Sequence, residues 1–322
     1  MASPSGSAAG SAAAPCKDPL PLTAAADRSG RRLWSYEAVF TRASGRARVI
    51  REIRAAAPLM AALRAPVPTR GPWLTAVLNA RSWSAAPVPV GRCPVAVVAE
   101  PDRSGRPAAA AFLVLRRHGW GTAVTLLGQE SSVRPDGRPP ARLLARDDDA
   151  AARLAAGILE LLRSMRVPWR LALTGLPLGD PTLRLLAEAL PGSVVANVRS
   201  RRLVDELGGL ARPAMRGQDP RMLERWLPVL LEREPDAGAR RFLRAAARLH
   251  AAIGQLELAV VTDGDRPLAA LLTLVDGSDR WPWWGFSDVG ELRTEMGAPL
   301  VSFTARSGRA GNGTGSRASG RR

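Results

Sequence analysis

Histidine, cysteine and lysine are all scarce in this 322-residue chain, and each shortage excludes a chemistry. Only His118 and His250 occur, far apart in sequence, which leaves few ways to build a zinc site and no provision for a Ser/His/Asp triad. Cys16 and Cys93 are the only cysteines, one in a low-complexity stretch and one ahead of a predicted strand. Neither a disulfide framework nor a cysteine metal site is available, and no metal is expected. No stretch approaches the roughly 18 uninterrupted apolar residues of a membrane span. Met1 to Pro15 lack the basic start and apolar core of a secretion signal. The expected protein is cytoplasmic, with no membrane span.

Lys17 is the only lysine, so nearly all of the 46 basic residues are arginine. The net charge of +17 would suit a phosphate backbone. With so much Ala, Gly and Pro, however, the arginine reads as the codon bias of a GC-rich genome. It is also concentrated at the ends, from Arg28 to Arg54 and from Arg306 to Arg322. Solvated arginine is the expectation, and nucleic acid is not expected as a partner.

What is present is a globular middle. Apolar residues make up 46% of the chain, and its length suits two domains. Residues 1–55 are rich in Ala, Ser, Gly and Arg and read as a disordered arm, interrupted only by the apolar cluster Leu33, Trp34, Tyr36, Val39 and Phe40. From Pro72 the apolar residues Trp73, Leu74, Val77 and Leu78, followed by Trp83, take helical spacing. Two short apolar runs, Pro94–Glu100 and Ala108–Leu115, flank a Pro/Asp/Gly turn at residues 101–105 and read as a hairpin. A third run, Ala123–Leu127, extends it to a meander. Asp147–Asp149 then open a helix with Leu154, Ile158, Leu161 and Leu162 on one face. The strand from Trp169, a helix capped by Asp180-Pro181 and the strand from Ser193 complete a first unit. A meander followed by βαβ segments predicts an α/β fold with a mixed sheet.

The second half starts again. Amphipathic helices carrying Leu223, Trp226, Leu227 and then Phe242, Leu243, Ala246 lead to runs from Leu256, Pro267 and Trp281. The hairpin is a repeat: AVVAEPDRSGRPAAAAFLVL from Ala96 matches AVVTDGDRPLAALLTLV from Ala259, with Arg106-Pro107 answering Arg266-Pro267.

On these two hairpins, and on the helix FLRAAARLHAAIGQ from Phe242, the chain resembles the GNAT acyltransferase superfamily between about Pro72 and Phe303. The likeness extends to its tandem cellulose-biosynthesis-type (CelD-like) acetyltransferases. The resemblance implies two tandem GNAT-like domains: a first over 56–205 and a second over 206–303, with a disordered basic tail over 304–322. It implies acyl transfer from acetyl-CoA or another acyl-CoA to an amine or hydroxyl acceptor, in envelope polysaccharide or lipid modification by analogy. In the family a splayed strand at the end of the meander pairs with the pantetheine arm, and the next helix start receives the pyrophosphate. Carried onto this chain, the strand is Trp283, Trp284, Gly285 and Phe286, and the phosphate-receiving turn is Gly297-Ala298. Trp281, Trp283 and Trp284 are candidates to line an acyl pocket. The general-base candidates are Asp288, Glu291 and Glu295, set against a reading in which all three solvate a loop. His250 and His118 read as surface residues, and Gly311–Gly315 as tail rather than a phosphate loop, because neither a strand nor an apolar helix flanks it.

The two units differ beyond the meander. Some 70 residues run from Leu127 to Val198, whereas only 36 come after Phe286, and those from Arg306 lack periodicity. The second unit is therefore expected to lack its closing βαβ portion, as after a frameshift or truncation near Phe303. A non-catalytic binding scaffold is the alternative function, and an arginine-driven nucleic-acid binder a further one. The oligomeric state is left open.

Overall fold

The computed structural model describes residues 40–81, 91–99, 106–129, 140–209 and 213–307. Most of the apolar cluster before Phe40, Cys16, Trp83, the 101–105 turn and Gly311–Gly315 lie outside them. The chain opens with strand β1 (Phe40–Ser44) and helices α1 (Arg46–Ala55), α2 (Ala57–Ala62) and α3 (Gly71–Asn79). The first meander is β2 (Arg92–Ala99), β3 (Ala109–His118) and β4 (Gly121–Leu126). Then come β5 (Leu144–Ala145), α4 (Asp148–Arg163), β6 (Trp169–Pro177), α5 (Pro181–Ala189), β7 (Val194–Leu203) and β8 (Met215–Gly217). Helices α6 (Pro220–Glu232) and α7 (Ala237–Ala252) precede the second meander, β9 (Leu256–Asp263), β10 (Arg266–Asp276) and β11 (Asp279–Ser287). A last strand, β12 (Thr294–Arg306), ends the described chain.

These strands form two sheets. The larger is mixed, ordered β1-β2-β3-β4-β6-β12-β7 with β5 pairing β3, and the smaller is β11-β10-β9-β8. The repeated hairpins hold equivalent places: β2 pairs β3 with Ala96 opposite Phe112, and β9 pairs β10 with Val260 opposite Ala270. Alternate strand residues point to opposite faces, so both faces of the large sheet can be buried. On one face Val95, Leu113, Val124 and Leu171 pack against Leu154, Ile158 and Leu162 of α4. On the other, Val98, Phe112 and Val114 join a core with α3, α6, α7 and the inner face of the small sheet. Helices are thus sandwiched between the two sheets. Trp73 of α3 anchors this layer, with its ring 5.0 Å from Phe242, 5.1 Å from Trp281 and 5.3 Å from Trp283, edge to face. Arg70, which precedes α3, bridges to Asp276 and Asp279 at the β10–β11 turn, tying the second meander to the first half.

The local code for the helices is plain. Asp147, Asp180, Asp219 and Asp236 each cap a helix by accepting a backbone N–H, at 2.7 Å from Ala150 and 3.0 Å from Leu183 in the first two cases. Gly157 on α4 is required by close approach. A Cβ there would lie 2.7 Å from Val97 Cγ1 and 3.1 Å from the Phe40 ring.

Three expectations change. Residues 40–55, expected to belong to an arm, form β1 and α1, because Val49 and Ile53 are spaced one helical turn apart and are fully buried. No helix begins at Gly297-Ala298, which lie inside β12 at a register irregularity between Met296 and Pro299. Beyond that point the strand alternates with period two: Val301, Phe303 and Ala305 face the α4 core. Finally, His250 is buried, only 2% exposed, and not a surface residue.

The segment after Phe286 therefore does not build a second βαβ unit. It crosses to the large sheet, where β12 lies antiparallel between β6 and β7, with Phe303 opposite Leu173 on one side and Val195 on the other.

Candidate functional site

Two places in the molecule bring strand ends together in the manner a thioester arm would need. The first is the fork between β4 and β6. These strands pair in parallel only from Thr122 opposite Trp169 to Thr125 opposite Ala172. Beyond that the fork is closed by the chain's own groups. Gln129 donates through Nε2 to the Thr174 carbonyl at 2.8 Å, contacts the Thr174 hydroxyl, and accepts the Leu126 N–H at 3.1 Å. The Ala141 N–H bonds the Gly175 carbonyl at 2.7 Å. A cavity of about 30 Å³, enough for water, lies beside this end of β4 and is lined by Leu74, Phe112, Leu127 and Gln129 with no residue of β6. Helix α4, which comes after the fork, starts with Asp147, Asp148 and Asp149. Three carboxylates at a helix N-terminus satisfy its dipole and repel a phosphate. The Ala150 N–H holds the Asp147 carboxyl below its ordinary value, so it is ionised.

The second place lies between the sheets. β11 is the last strand of the small sheet and β7 the last of the large one, so each has a hydrogen-bonded neighbour on one side only. The two run close to each other without pairing. Where both end, a cavity of about 450 Å³ opens, lined by Ser287, Gly290, Glu291 and Arg293 from the β11–β12 connection, whose end at Arg293 already accepts the Val204 N–H through its carbonyl. Val204, Glu206, Leu207 and Gly209 line it from the β7 side. Arg293 Nη1 bonds Glu206 Oε1 at 2.5 Å on its large-sheet rim.

The residues singled out from the sequence fall around this second place, but they do not converge. Trp283 is fully buried and Trp284 nearly so, its indole Nε1 donating to Glu234 Oε2 at 3.4 Å. These rings, with Trp281, build the core between α3, α7 and the small sheet rather than an open pocket. Gly285 is packed so closely that a Cβ would lie 2.7 Å from the Ala270 carbonyl oxygen and 2.8 Å from Leu292 Cδ1. Phe286 carries the Arg233 guanidinium over its ring, 4.6 Å from the centroid. That guanidinium grips Asp288 with both nitrogens, at 3.0 and 2.7 Å, and Arg266 approaches the same carboxylate at 3.4 Å. Arg233 holds the Asp288 carboxyl below the ordinary carboxylate range, the opposite of what a general base working near neutral pH needs. Glu295 is bound by Arg202 from β7. Glu291 alone of the three lines the cavity. Gly297 and Ala298 face Ser200, whose Oγ donates to the Ala298 carbonyl at 3.2 Å. Sequence reasoning missed Glu206, Ser287 and Arg293; Glu206 comes from a separate stretch, and nothing near it in sequence marks it.

Among the described residues, no group of three or more His, Cys, Asp or Glu side chains is placed to hold a metal ion. Nor is any helix among them long and apolar enough to cross a membrane.

Residues 193–298 match the family model described as an acetyltransferase (GNAT) domain. No curated protein sequence matches the chain. Among solved structures, a tandem GNAT protein from the clavulanic acid biosynthesis pathway, without acetyl-CoA, is 13% identical, with a TM-score of 0.35 over 84% of this chain and 100% of its own. A GCN5-related N-acetyltransferase from Sphaerobacter thermophilus is 12% identical, with a TM-score of 0.31 over 83% and 95% of the two chains. The family match places the whole rim of the inter-sheet cavity, from Val204 to Arg293, inside the GNAT-type segment.

Proposed function

We propose that this protein is an acyl-CoA-dependent acyltransferase whose donor lies between the free edges of β7 and β11, with its thioester at the cavity between Glu206 and Glu291. The observation that carries this reading is the coincidence of two unpaired sheet edges, a cavity of about 450 Å³ at their ends and the GNAT-matching segment. An extended pantetheine arm suits a strand edge, because its amides can bond to backbone groups no strand occupies. Glu291 is placed to take the proton of an amine or hydroxyl acceptor as it attacks the thioester carbonyl. Collapse of the tetrahedral oxyanion, held by backbone N–H groups, releases CoA as its thiol with that proton. Such a transfer asks mainly for positioning, which fits a chain poor in histidine and cysteine. Drawing its donor from the CoA pool, the protein works in the cytoplasm. A place among cellulose-biosynthesis-type enzymes, with an envelope polysaccharide or lipid as acceptor, is the finer form of this proposal.

A binding scaffold without catalysis is the second reading, favoured by the ion pairs that hold Asp288 and Glu295. Acetyl-CoA titration by calorimetry, followed by thiol release over hours, separates the two. The enzyme binds acetyl-CoA and slowly passes its acetyl group to water, releasing CoA and acetate, with release slowed about 100-fold or more in Glu291→Gln at unchanged affinity. A scaffold binds without release, and no binding at all would sink both readings.

A further inference from the structure

A further large cavity is remote from both strand forks. It has a volume of about 750 Å³ and lies at the opposite end of the large sheet, where β2, β4 and β6 begin and α4 ends. Cavities of this size hold small molecules. Its floor is apolar: Cys93, Val95 and Leu115 from the sheet meet Leu161 and Met165 from the last turn of α4 and the residues just after it. Its rim is basic, with Arg42, Arg116, Arg117 and Arg166 all lining it, and none of the described lining residues is a carboxylate. The exposed guanidinium groups of Arg42 and Arg166 stand at its mouth and put a positive potential there, and that potential draws an oxyanion.

Two features shape the mouth. Arg42 of β1 donates to Ser164 Oγ at 2.9 Å, joining the edge of the sheet to the end of α4. Trp120, in the β3–β4 turn, is 93% exposed, the most exposed large apolar side chain among the described residues. Its indole face adds apolar surface at the mouth, beside the guanidinium groups.

We propose that this cavity binds an amphipathic anion, its aliphatic or aromatic body on the Val95 and Leu115 floor and its carboxylate or phosphate among the rim arginines. The apolar floor asks for a hydrocarbon body and the planar, forked guanidinium groups for an oxyanion. The site is independent of the donor cavity between the sheets, so its failure would leave the acyltransferase reading untouched.

The test is calorimetry on the full chain with octanoate, octyl phosphate, octylamine, acetate and inorganic phosphate. One or both octyl anions are expected to bind with a dissociation constant on the order of 0.1 mM, their order separating carboxylate from phosphate as the natural headgroup. Octylamine and the two bare headgroups are expected to bind at least tenfold more weakly. The double substitution Arg42→Gln, Arg166→Gln, on exposed side chains, is expected to weaken the octyl anions about tenfold without shifting Tm. Ser44→Phe, which narrows the mouth and keeps every charge, should weaken them as well. Equal affinity for octylamine, no heat from either octyl anion, or unchanged affinity in both variants would overturn the proposal.

Discussion

The two meanders begin alike and end differently. In each, an apolar strand turns through a Gly-containing loop into a longer partner strand, and a third strand returns beside it. After β4 the chain supplies α4 and β6, and the fork they make is closed by Gln129 and Ala141 and guarded by three aspartates. After β11 the chain leaves for the other sheet as β12, and the β11 edge stays open beside β7. Continuous apolar runs, buried on both faces, fix the hairpins, which is why they match in sequence. The capacity to hold a donor depends instead on the segments after them, and these have no counterpart in each other.

The largest expected effect tests where β12 belongs. Phe303 is fully buried in the core between the large sheet and α4, so Phe303→Ala should destabilise the fold by about 3–5 kcal/mol in urea unfolding. A loss below about 1 kcal/mol would mean that β12 does not complete the large sheet.

The next effect is a pH dependence located in the layer between the sheets. His250 is buried beside Trp73, and desolvation lowers its pKa to about 4. The unfolded chain takes up a proton near the ordinary value of about 6.5, whereas the folded chain stays neutral until about 4. Stability is therefore complete above about pH 6.5 and falls as the pH drops towards 4, by about 3 kcal/mol from this residue. His250→Leu should flatten that part of the curve. An unchanged slope between pH 6.5 and 4 would place the acid sensitivity elsewhere.

Two glycines compare the meanders at equivalent third strands. A Cβ on Gly121 in β4 would lie 2.3 Å from the Pro168 carbonyl oxygen, and one on Gly285 in β11 2.7 Å from that of Ala270. Each alanine substitution should cost about 1–3 kcal/mol, with Gly121→Ala the worse of the two because the backbone oxygen it meets is closer. Thermal unfolding of the pair would show it, and equal Tm values for both variants and wild type would contradict the packing described. The smallest effect belongs to Gln129→Ala, which unplugs the first fork: about 1 kcal/mol in stability and no gain in acetyl-CoA affinity, read by denaturant titration and calorimetry. Tighter binding would mean that the plug, not the aspartates, keeps the first fork empty.

Much of this architecture is legible in the sequence because it is local. The hairpins, the Asp147 and Asp180 caps and the amphipathic faces of α4, α6 and α7 all come from spacing within a dozen residues. Helix α1 is harder to see, because its core contribution rests on Val49 and Ile53 among five charged residues, Arg46, Arg48, Arg51, Glu52 and Arg54. The destination of β12 is not local at all: Phe303 pairs with Leu173, 130 residues earlier, and nothing near Phe303 specifies that partner. The Gly297-Ala298-Pro299 turn resembles a helix start, yet the apolar/polar alternation of Val301, Ser302, Phe303, Thr304 and Ala305 decides for a strand. In the site, Glu291 is reached from its place after the third strand. Glu206 and Arg293 are not, because their pairing, across 87 residues of chain, depends on β12 lying beside β7.

The central claim is that a CoA thioester occupies the gap between β7 and β11 and not the fork between β4 and β6. Hydrogen–deuterium exchange with and without saturating acetyl-CoA tests it on the intact chain. Slowed exchange is expected at residues 199–209 and 281–293, with 122–129 and 169–177 unchanged. Protection confined to the β4 and β6 segments would contradict it.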